Sequence, residues 1–240
     1  MDWSALFLSL KLAAVTLVIL LPAGVLTGRW LAYTGFRGKA WVEAVVVPET
    51  WFFRYPESFN ALADLASAVT RAAIERSGLA AEQVGHLVMG TVIPTEPRDA
   101  YLARVAAMNA GIPKETPAFN VNRLCGSGLQ AIVSAAQGLL LGDTDVAVAA
   151  GAESMSRGPY LLPQARWGAR MGDLQGIDYT VGVLQDPFQH FHMGITAENV
   201  SAKHGITREM QDELALTSQR RAARAIAEGR FTSQIVPLEL

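Results

Sequence analysis

The chain has 240 residues and a formal net charge of −2, so its overall charge does not favour nucleic acid, and no nucleic-acid partner is predicted. Half of the residues are hydrophobic, which is enough for a substantial core in one large domain or two small ones. The only cysteine, Cys125, excludes an intrachain disulfide framework and any metal site that needs two thiolates, and no metal site is predicted.

The first predicted element is a transmembrane helix. Residues 6–26, LFLSLKLAAVTLVILLPAGVL, are apolar apart from Lys11 and are long enough to span a bilayer. Basic residues follow this stretch and an acidic residue precedes it, so the positive-inside rule places the rest of the chain in the cytoplasm, anchored to the inner membrane. A cleaved signal peptide and a buried core helix remain as alternative interpretations of the same residues.

The rest of the chain alternates between strand-like and helix-like patterns, which predicts a layered α/β domain. The predicted elements are a helix over 60–78, a strand over 84–93, a short helix within 94–118, a strand over 116–122, a helix over 126–143, a strand over 145–154, a helix over 207–229 and the start of a strand in QIVPLEL at 234–240. The helix over 126–143 is apolar nearly all round, which is typical of a buried central helix.

Four segments follow from these patterns. Residues 1–48 form the membrane segment, and residues 49–155 form the α/β domain. Residues 156–205 are rich in Pro, Gly, Met, His and aromatic residues with weak periodicity, which predicts a loop-rich excursion of the kind that lies over a ligand. Residues 206–240 bring the chain back through a long amphipathic helix and the start of a strand.

Cys125 stands where a loop turns into the apolar helix, in NVNRLCGSGLQ. A helix N-terminus combines the positive end of the helix dipole with unpaired backbone N–H groups, and both stabilise a thiolate as a nucleophile. Gly126 and Gly128 are expected to allow close backbone approach, so that an acyl oxygen reaches those N–H groups. The alternative is a buried structural cysteine that packs the start of the helix.

The N-terminal segment, MDWSALFLSLKLAAVTLVILLPAGVLTGRWLAYTGFRGKAWVEA, resembles the start of a molybdate ABC-transporter permease. The resemblance ends after about a fifth of the chain, and none of the later permease helices follows. One helix does not form a transport pathway. A membrane-protein fragment of this permease kind is therefore an alternative function.

A second resemblance covers about residue 54 to the end. The segment NVNRLCGSGLQAIVSAAQGLLLGDTDVAVAAGAESMSRGPY is similar to the nucleophile region of thiolases, and RWGARMGD, HMGITAENV and QIVP follow in the expected order. The resemblance is to the acetyl-CoA acetyltransferase and β-ketothiolase types. It implies a thiolase-like layered α/β fold, with the N-terminal half and part of the loop domain present. It also implies acyl transfer between CoA thioesters, by Claisen condensation or thiolysis, without a cofactor. A non-catalytic CoA-binding module is an alternative function.

The same resemblance implies roles for particular residues. Cys125 matches the nucleophile that accepts the acyl group, and its own backbone N–H matches an oxyanion-stabilising donor. His192 and Met193 match positions that line the pantetheine channel and are implied to bind substrate. Residues 154–156 match a loop beside the active site, with a structural role. The other three histidines match no catalytic position.

The chain also departs from the thiolase pattern. It contains no His-Pro pair, no second cysteine and no Asn-Glu-Ala-Phe motif, which thiolases carry in their second half. The predicted junction between the two resemblances lies near residues 45–54. We therefore expect the 240 residues alone to be inactive, or to retain at most slow acylation of Cys125. We also expect helix residues 129–141 to lose part of their cover, unless a second copy or a partner supplying the missing half covers them.

Overall fold

The computed structural model describes residues 62–237. The predicted membrane span over 6–26, the predicted junction near 45–54 and the start of the first predicted helix lie outside these residues. Within them, one stretch, 124–141, is long and apolar enough to cross a membrane by length and composition. Its small residues pack against the sheet, as a core helix of a soluble domain also does.

The first part of the described chain alternates helices and strands, as predicted. Its elements are α1 (Leu62–Ser77), β1 (His86–Gly90), α2 (Leu102–Asn109), β2 (Ala118–Val121), α3 (Ser127–Leu141) and β3 (Ala147–Gly151). Two 3-10 turns, Ala81–Gln83 and Pro97–Tyr101, precede β1 and α2. Gly78, with φ +70°, ends α1 in the left-handed conformation that glycine adopts without strain.

The three strands form a parallel sheet in the order β2-β1-β3. Helices α1 and α2 pack on one face, and α3 packs on the other. The central strand β1 shows how alternation builds both cores: Leu87 and Met89 belong to the α1–α2 side, whereas Val88 belongs to the α3 side. Because the strands are parallel, their carboxyl ends meet at one edge, and the chain passes from β2 into α3 at that edge.

Helix α3 is only half covered. Its small residues Ala131, Ala135 and Gly138 face the sheet and are buried. Ile132 and Leu139 are partly buried against the same core, whereas other large apolar residues face outward: Leu129 is 59% exposed and Leu140 is 81% exposed. In the described chain by itself, the predicted buried central helix is therefore covered on one side only. Its small side chains let the backbone approach the sheet closely on that side.

The second part of the described chain contains short strands and three helices. Its elements are β4 (Tyr160–Leu161), β5 (Ile177–Asp178), α4 (Tyr179–Val183), α5 (Met193–His204) and α6 (Arg208–Ala227), with 3-10 turns at Met155–Arg157 and Ala165–Trp167. No side chain in residues 151–237 is buried. The predicted loop-rich excursion therefore adds no buried side chain to the core of the α/β part.

Helix α6 begins and ends where the sequence predicts. The Thr207 hydroxyl accepts a hydrogen bond from the Met210 N–H at 3.3 Å, and Gly229 follows the helix with φ +67°. The pKa of Glu209 is lowered by a hydrogen bond from its own backbone N–H and by a second one from Thr207. The strand predicted to start at 234 is not formed over 234–237, because no described strand pairs with it.

Candidate functional site

Cys125 lies in a tight turn between β2 and α3, at the carboxyl edge of the sheet, and it is exposed. The preceding residue, Leu124, has φ +48°, a conformation that costs a residue with a Cβ about 1–2 kcal/mol. Gly126 is the N-cap residue of α3. The sequence prediction of a thiol at the junction of loop and helix is confirmed, and the alternative of a buried cysteine is wrong.

Two polar side chains hold the strained turn. Ser127, which is 5% exposed, accepts a hydrogen bond from the Arg123 N–H at 2.9 Å and donates one to the Leu124 carbonyl at 2.6 Å. The Asn122 side-chain oxygen accepts a hydrogen bond from the Leu124 N–H at 3.0 Å. These bonds bracket the left-handed residue on both sides. The surrounding structure thus maintains a backbone conformation that leucine does not favour.

The closest backbone approach in the site is made by a glycine of β1. A Cβ on Gly90 would lie 2.7 Å from the carbonyl carbon and oxygen of Ser127 and 2.9 Å from the Gly128 nitrogen. The start of α3 therefore rests directly on the end of β1. A Cβ on Gly128 would meet nothing within 4 Å, so the space beside it is open. The approach of an acyl oxygen that Gly126 and Gly128 are expected to allow stays a prediction.

The loop after β1 is tied to the same edge. Glu153 accepts hydrogen bonds from the N–H groups of Val92 and Ile93, at 2.8 and 2.9 Å. The Asn122 amide donates a longer bond to the Val92 carbonyl, at 3.4 Å. The segment after β3, the loop after β1 and the Cys125 turn therefore support one another at the carboxyl edge.

The predicted substrate-binding residues lie at the start of α5. His192 is the N-cap residue, and its Nδ1 accepts a hydrogen bond from the Gly194 N–H at 3.0 Å. The Met193 N–H donates to the Leu184 carbonyl at 2.8 Å, and the Met193 side chain is 41% exposed. None of these bonds reaches the Cys125 turn. The structure orders His192 and Met193 within their own segment, and their placement toward a substrate remains a prediction.

Residues 154–156 and His86, which were also considered in the sequence, make their contacts outside the Cys125 turn. Residues 154–156 lead into the 3-10 turn Met155–Arg157, where the Thr180 hydroxyl donates to the Met155 carbonyl at 3.3 Å. The His86 ring lies 5.4 Å from the Phe119 ring at the sheet. Within residues 62–237, no group of three or more His, Cys, Asp or Glu side chains is placed to hold a metal ion.

Sequence reasoning missed the residues that support Cys125. Gly90, Asn122, Ser127 and Glu153 were not predicted as site residues, although all four contact the turn or the loop beside it. Ser127 and Asn122 flank the cysteine within three residues, so their proximity was a usable signal. Gly90 and Glu153 are distant in sequence, and only the parallel sheet brings them to the same edge.

The strain at Leu124 gives a first prediction. We expect Leu124→Gly to leave the free energy of unfolding unchanged or to raise it by up to about 0.5 kcal/mol. Glycine adopts a positive φ without strain, and this gain in the folded state offsets the greater conformational entropy of the unfolded variant. Urea unfolding measures the change. The matched control is Leu129→Gly, which is similarly exposed but helical, and should lose about 1 kcal/mol. Equal losses for both variants would show that Leu124 is not strained.

Comparison with known proteins defines the class to which this fold and this turn belong. The family model described as the N-terminal domain of thiolase matches residues 50–240. The chain belongs to the thiolase family. The match begins within the range predicted for the junction, and the resemblance of the N-terminal segment to a permease gains no support from these comparisons.

Individual relatives agree with the family. The chain is 60% identical over 176 residues to the beta-ketothiolase BktB of Cupriavidus necator, covering 73% of this chain and 45% of the relative. It is 48% identical over 181 residues to the acetyl-CoA acetyltransferase of Syntrophomonas wolfei, with the same two coverages. The chain thus spans about 45% of the length of these curated relatives.

Solved structures agree in fold. The Bacillus anthracis acetyl-CoA acetyltransferase superposes with a TM-score of 0.71 at 39% identity, over 78% of this chain and 47% of the other. Human mitochondrial 3-ketoacyl-CoA thiolase in complex with CoA superposes with a TM-score of 0.72 at 38% identity, over 75% and 46% of the two chains. The thiolase-like α/β fold predicted from the sequence is therefore confirmed for the N-terminal half.

Proposed function

We propose that this chain supplies the acyl-accepting half of a thiolase-type acyltransferase, with Cys125 as the nucleophile and CoA thioesters as substrates. The observation that carries the proposal is the exposed thiol on a strained turn that Ser127 and Asn122 hold in place. The names of the relatives, which refer to acetyl-CoA acetyltransfer and β-ketothiolysis, support the substrate class. We propose no cofactor, because the step needs only the thiol and the thioester.

In the proposed step, the Cys125 thiolate attacks the thioester carbonyl. A new carbon–sulfur bond forms to Cys125, the bond to CoA sulfur breaks, and the CoA thiolate leaves and takes up a proton. The N–H groups of Gly126 and Ser127 already donate to the carbonyls of Arg123 and Leu124, at 3.1 and 2.9 Å. The N–H of Cys125 itself is therefore our candidate donor to the oxyanion of the tetrahedral intermediate.

The proposal extends to the residues that bind CoA. We propose that His192 and Met193 line the channel for the pantetheine arm, because they are exposed at an ordered helix start. With Nδ1 accepting the Gly194 N–H, the neutral His192 ring carries its proton on Nε2, which suits donation to a pantetheine carbonyl. Met193 offers an adaptable apolar contact for the same arm.

Acylation without turnover is the expected behaviour of the 240 residues by themselves. They contain one cysteine and no His-Pro pair, so a general base and a second thiol would come from a partner supplying the other half. We expect intact-mass spectrometry to show one acetyl group added by acetyl-CoA to the full chain, and none added to Cys125→Ala. We expect a thiolysis assay with acetoacetyl-CoA and CoA to show no sustained turnover.

The two measurements separate the alternatives. Acetylation of the Cys125→Ala variant would show that a group other than Cys125 accepts the acetyl group, which would contradict the proposed nucleophile. Binding of CoA with no acetylation of either protein would favour the non-catalytic CoA-binding module. Sustained thiolysis that is lost in Cys125→Ala would keep the nucleophile and contradict the need for a partner. Alkylation of Cys125 by iodoacetamide serves as the control that the thiol is reduced and accessible.

We also propose that residues 6–26 attach the chain to the inner membrane, with the thiolase-like part in the cytoplasm. The support is the length, hydropathy and flanking charge of that segment. We expect the full chain to stay with membranes after a wash at high pH, and a variant in which Val15 and Leu20 are both replaced by Arg to be released. Release of both proteins alike would contradict the anchor.

A further inference from the structure

Two buried side-chain oxygens have no hydrogen-bond partner within residues 62–237. They are Oδ1 of Asp99 and Oγ1 of Thr91. Asp99 is 1% exposed, and its other carboxylate oxygen, Oδ2, accepts hydrogen bonds from the Thr95 N–H at 2.6 Å, the Thr95 hydroxyl at 2.7 Å and the Glu96 N–H at 3.1 Å. Burial of an oxygen without a partner is costly, and buried polar groups in folded proteins nearly always have one.

Thr91 belongs to the face of the sheet that α1 and α2 cover. Its N–H donates to the Val121 carbonyl at 3.1 Å, so the ladder between β1 and β2 continues one residue beyond β1. Alternation then places the Thr91 side chain on the side of Met89, two residues earlier, which packs in the α1–α2 core. Thr91 therefore lies at the carboxyl end of this layer.

Asp99 lies at the same end of the same layer. Asn120 of β2 is the direct partner of Met89 in the parallel register, so its side chain is on the same face. The Asn120 amide donates to the Asp99 carbonyl at 3.0 Å, and its oxygen accepts a bond from the Ala103 N–H at 2.8 Å. The turn that carries Asp99 is thus held over the end of the sheet, on the side of Thr91.

We infer that one buried water molecule joins Asp99 Oδ1 to the Thr91 hydroxyl. The two oxygens do not bond each other directly, whereas a water between them donates to the carboxylate and accepts from the hydroxyl. A buried water of this kind makes about three hydrogen bonds and is part of the fold. It ties the residue after β1 to the turn before α2, in a loop that Glu153 also holds. The inference does not depend on acylation of Cys125.

The first test is the sign of the effect of Thr91→Val on urea unfolding of the full 240-residue chain in detergent. Loss of a hydroxyl that binds the water should raise the equilibrium constant of unfolding about tenfold. Loss of a hydroxyl without a partner should leave the constant unchanged or lower it, and this result would overturn the inference. The matched control is Thr116→Val. That hydroxyl donates to the Val84 carbonyl at 2.9 Å, and its loss should raise the constant by a similar factor.

The second test is a double-mutant cycle between Thr91→Val and Asp99→Ala. If both residues hold one water, the combined effect on the equilibrium constant should be at least about fivefold smaller than the product of the single effects. Independent effects, which multiply, would contradict a shared water. Circular dichroism checks that the variants retain their helices.

A crystal structure of the full chain separates a water from other links. One density peak within hydrogen-bond distance of both oxygens is expected in the original protein, and none in Thr91→Val. A direct bond between Thr91 and Asp99 would overturn the inference. Exchange of Na⁺ for tetramethylammonium at constant ionic strength should leave the unfolding constant unchanged, and a rise would assign the site to a cation instead of water.

Discussion

Replacement of Gly90 by alanine is expected to lower the free energy of unfolding of the α/β part by about 3 kcal/mol. The added Cβ would lie 2.7 Å from the backbone carbonyl of Ser127, and backbone atoms have no rotamer by which to move away. The Gly90 carbonyl accepts a hydrogen bond from the Ala152 N–H at 3.1 Å, which holds the end of the strand in place. The start of α3 must shift, and the Cys125 turn shifts with it.

Urea unfolding followed by circular dichroism measures the loss, and the rate of Cys125 alkylation under native conditions measures the displacement of the turn. The control is Gly182→Ala. A Cβ on Gly182 would meet nothing within 4 Å, unlike one on Gly90, so this variant should change stability by less than about 0.5 kcal/mol. Unchanged stability of Gly90→Ala would mean that β1 and α3 are not in the close contact described above.

Loss of the Ser127 hydroxyl should destabilise the site through hydrogen bonding. Ser127→Ala leaves the Arg123 N–H without its partner and removes the hydroxyl bond to the Leu124 carbonyl, which keeps the bond from the Ser127 N–H. The Ser127 side chain is 5% exposed, and we expect a loss of about 2 kcal/mol, because the unsatisfied N–H retains its desolvation penalty. The left-handed Leu124 should then relax, and acetylation of Cys125 should slow more than its alkylation, because acetylation needs an ordered oxyanion donor.

Ser134→Ala provides the comparison on the same helix. Ser134 accepts a 3.2 Å bond from the Gln130 side chain and holds no backbone group of the turn, so we expect a change within about 0.5 kcal/mol and normal acetylation. Similar behaviour of the two serine variants would show that Ser127 does not position Cys125. The ratio of acetylation to alkylation separates a positioning role from a general loss of stability.

The regular elements were predictable because their signals are local. The spacing of apolar residues predicted α1, α3 and α6, and the short apolar runs predicted the three parallel strands. Thr207, Gly78 and Gly229 marked helix ends for reasons of capping and backbone conformation that act within a few residues. The strand expected from 234 is not formed over 234–237, because a strand exists only when another strand pairs with it.

The site was predictable only in its centre. Cys125 could be singled out from one segment, because the helix start and the glycines that favour a reactive thiol are its neighbours along the chain. Gly90, which no local pattern singled out, shows the limit. Which of several glycines needs its missing side chain depends on what packs against it, and a single segment does not contain that information.

The sequence by itself determined the family, the order of helices and strands, and the position of Cys125 at a helix start, since each depends on residues close together along the chain. Only the tertiary structure decided that Gly90 contacts the start of α3, that Glu153 ties down the loop after β1, and that Leu129 and Leu140 of α3 face outward. These facts depend on contacts between segments tens of residues apart, which exist only once the parallel sheet has brought its carboxyl ends to one edge.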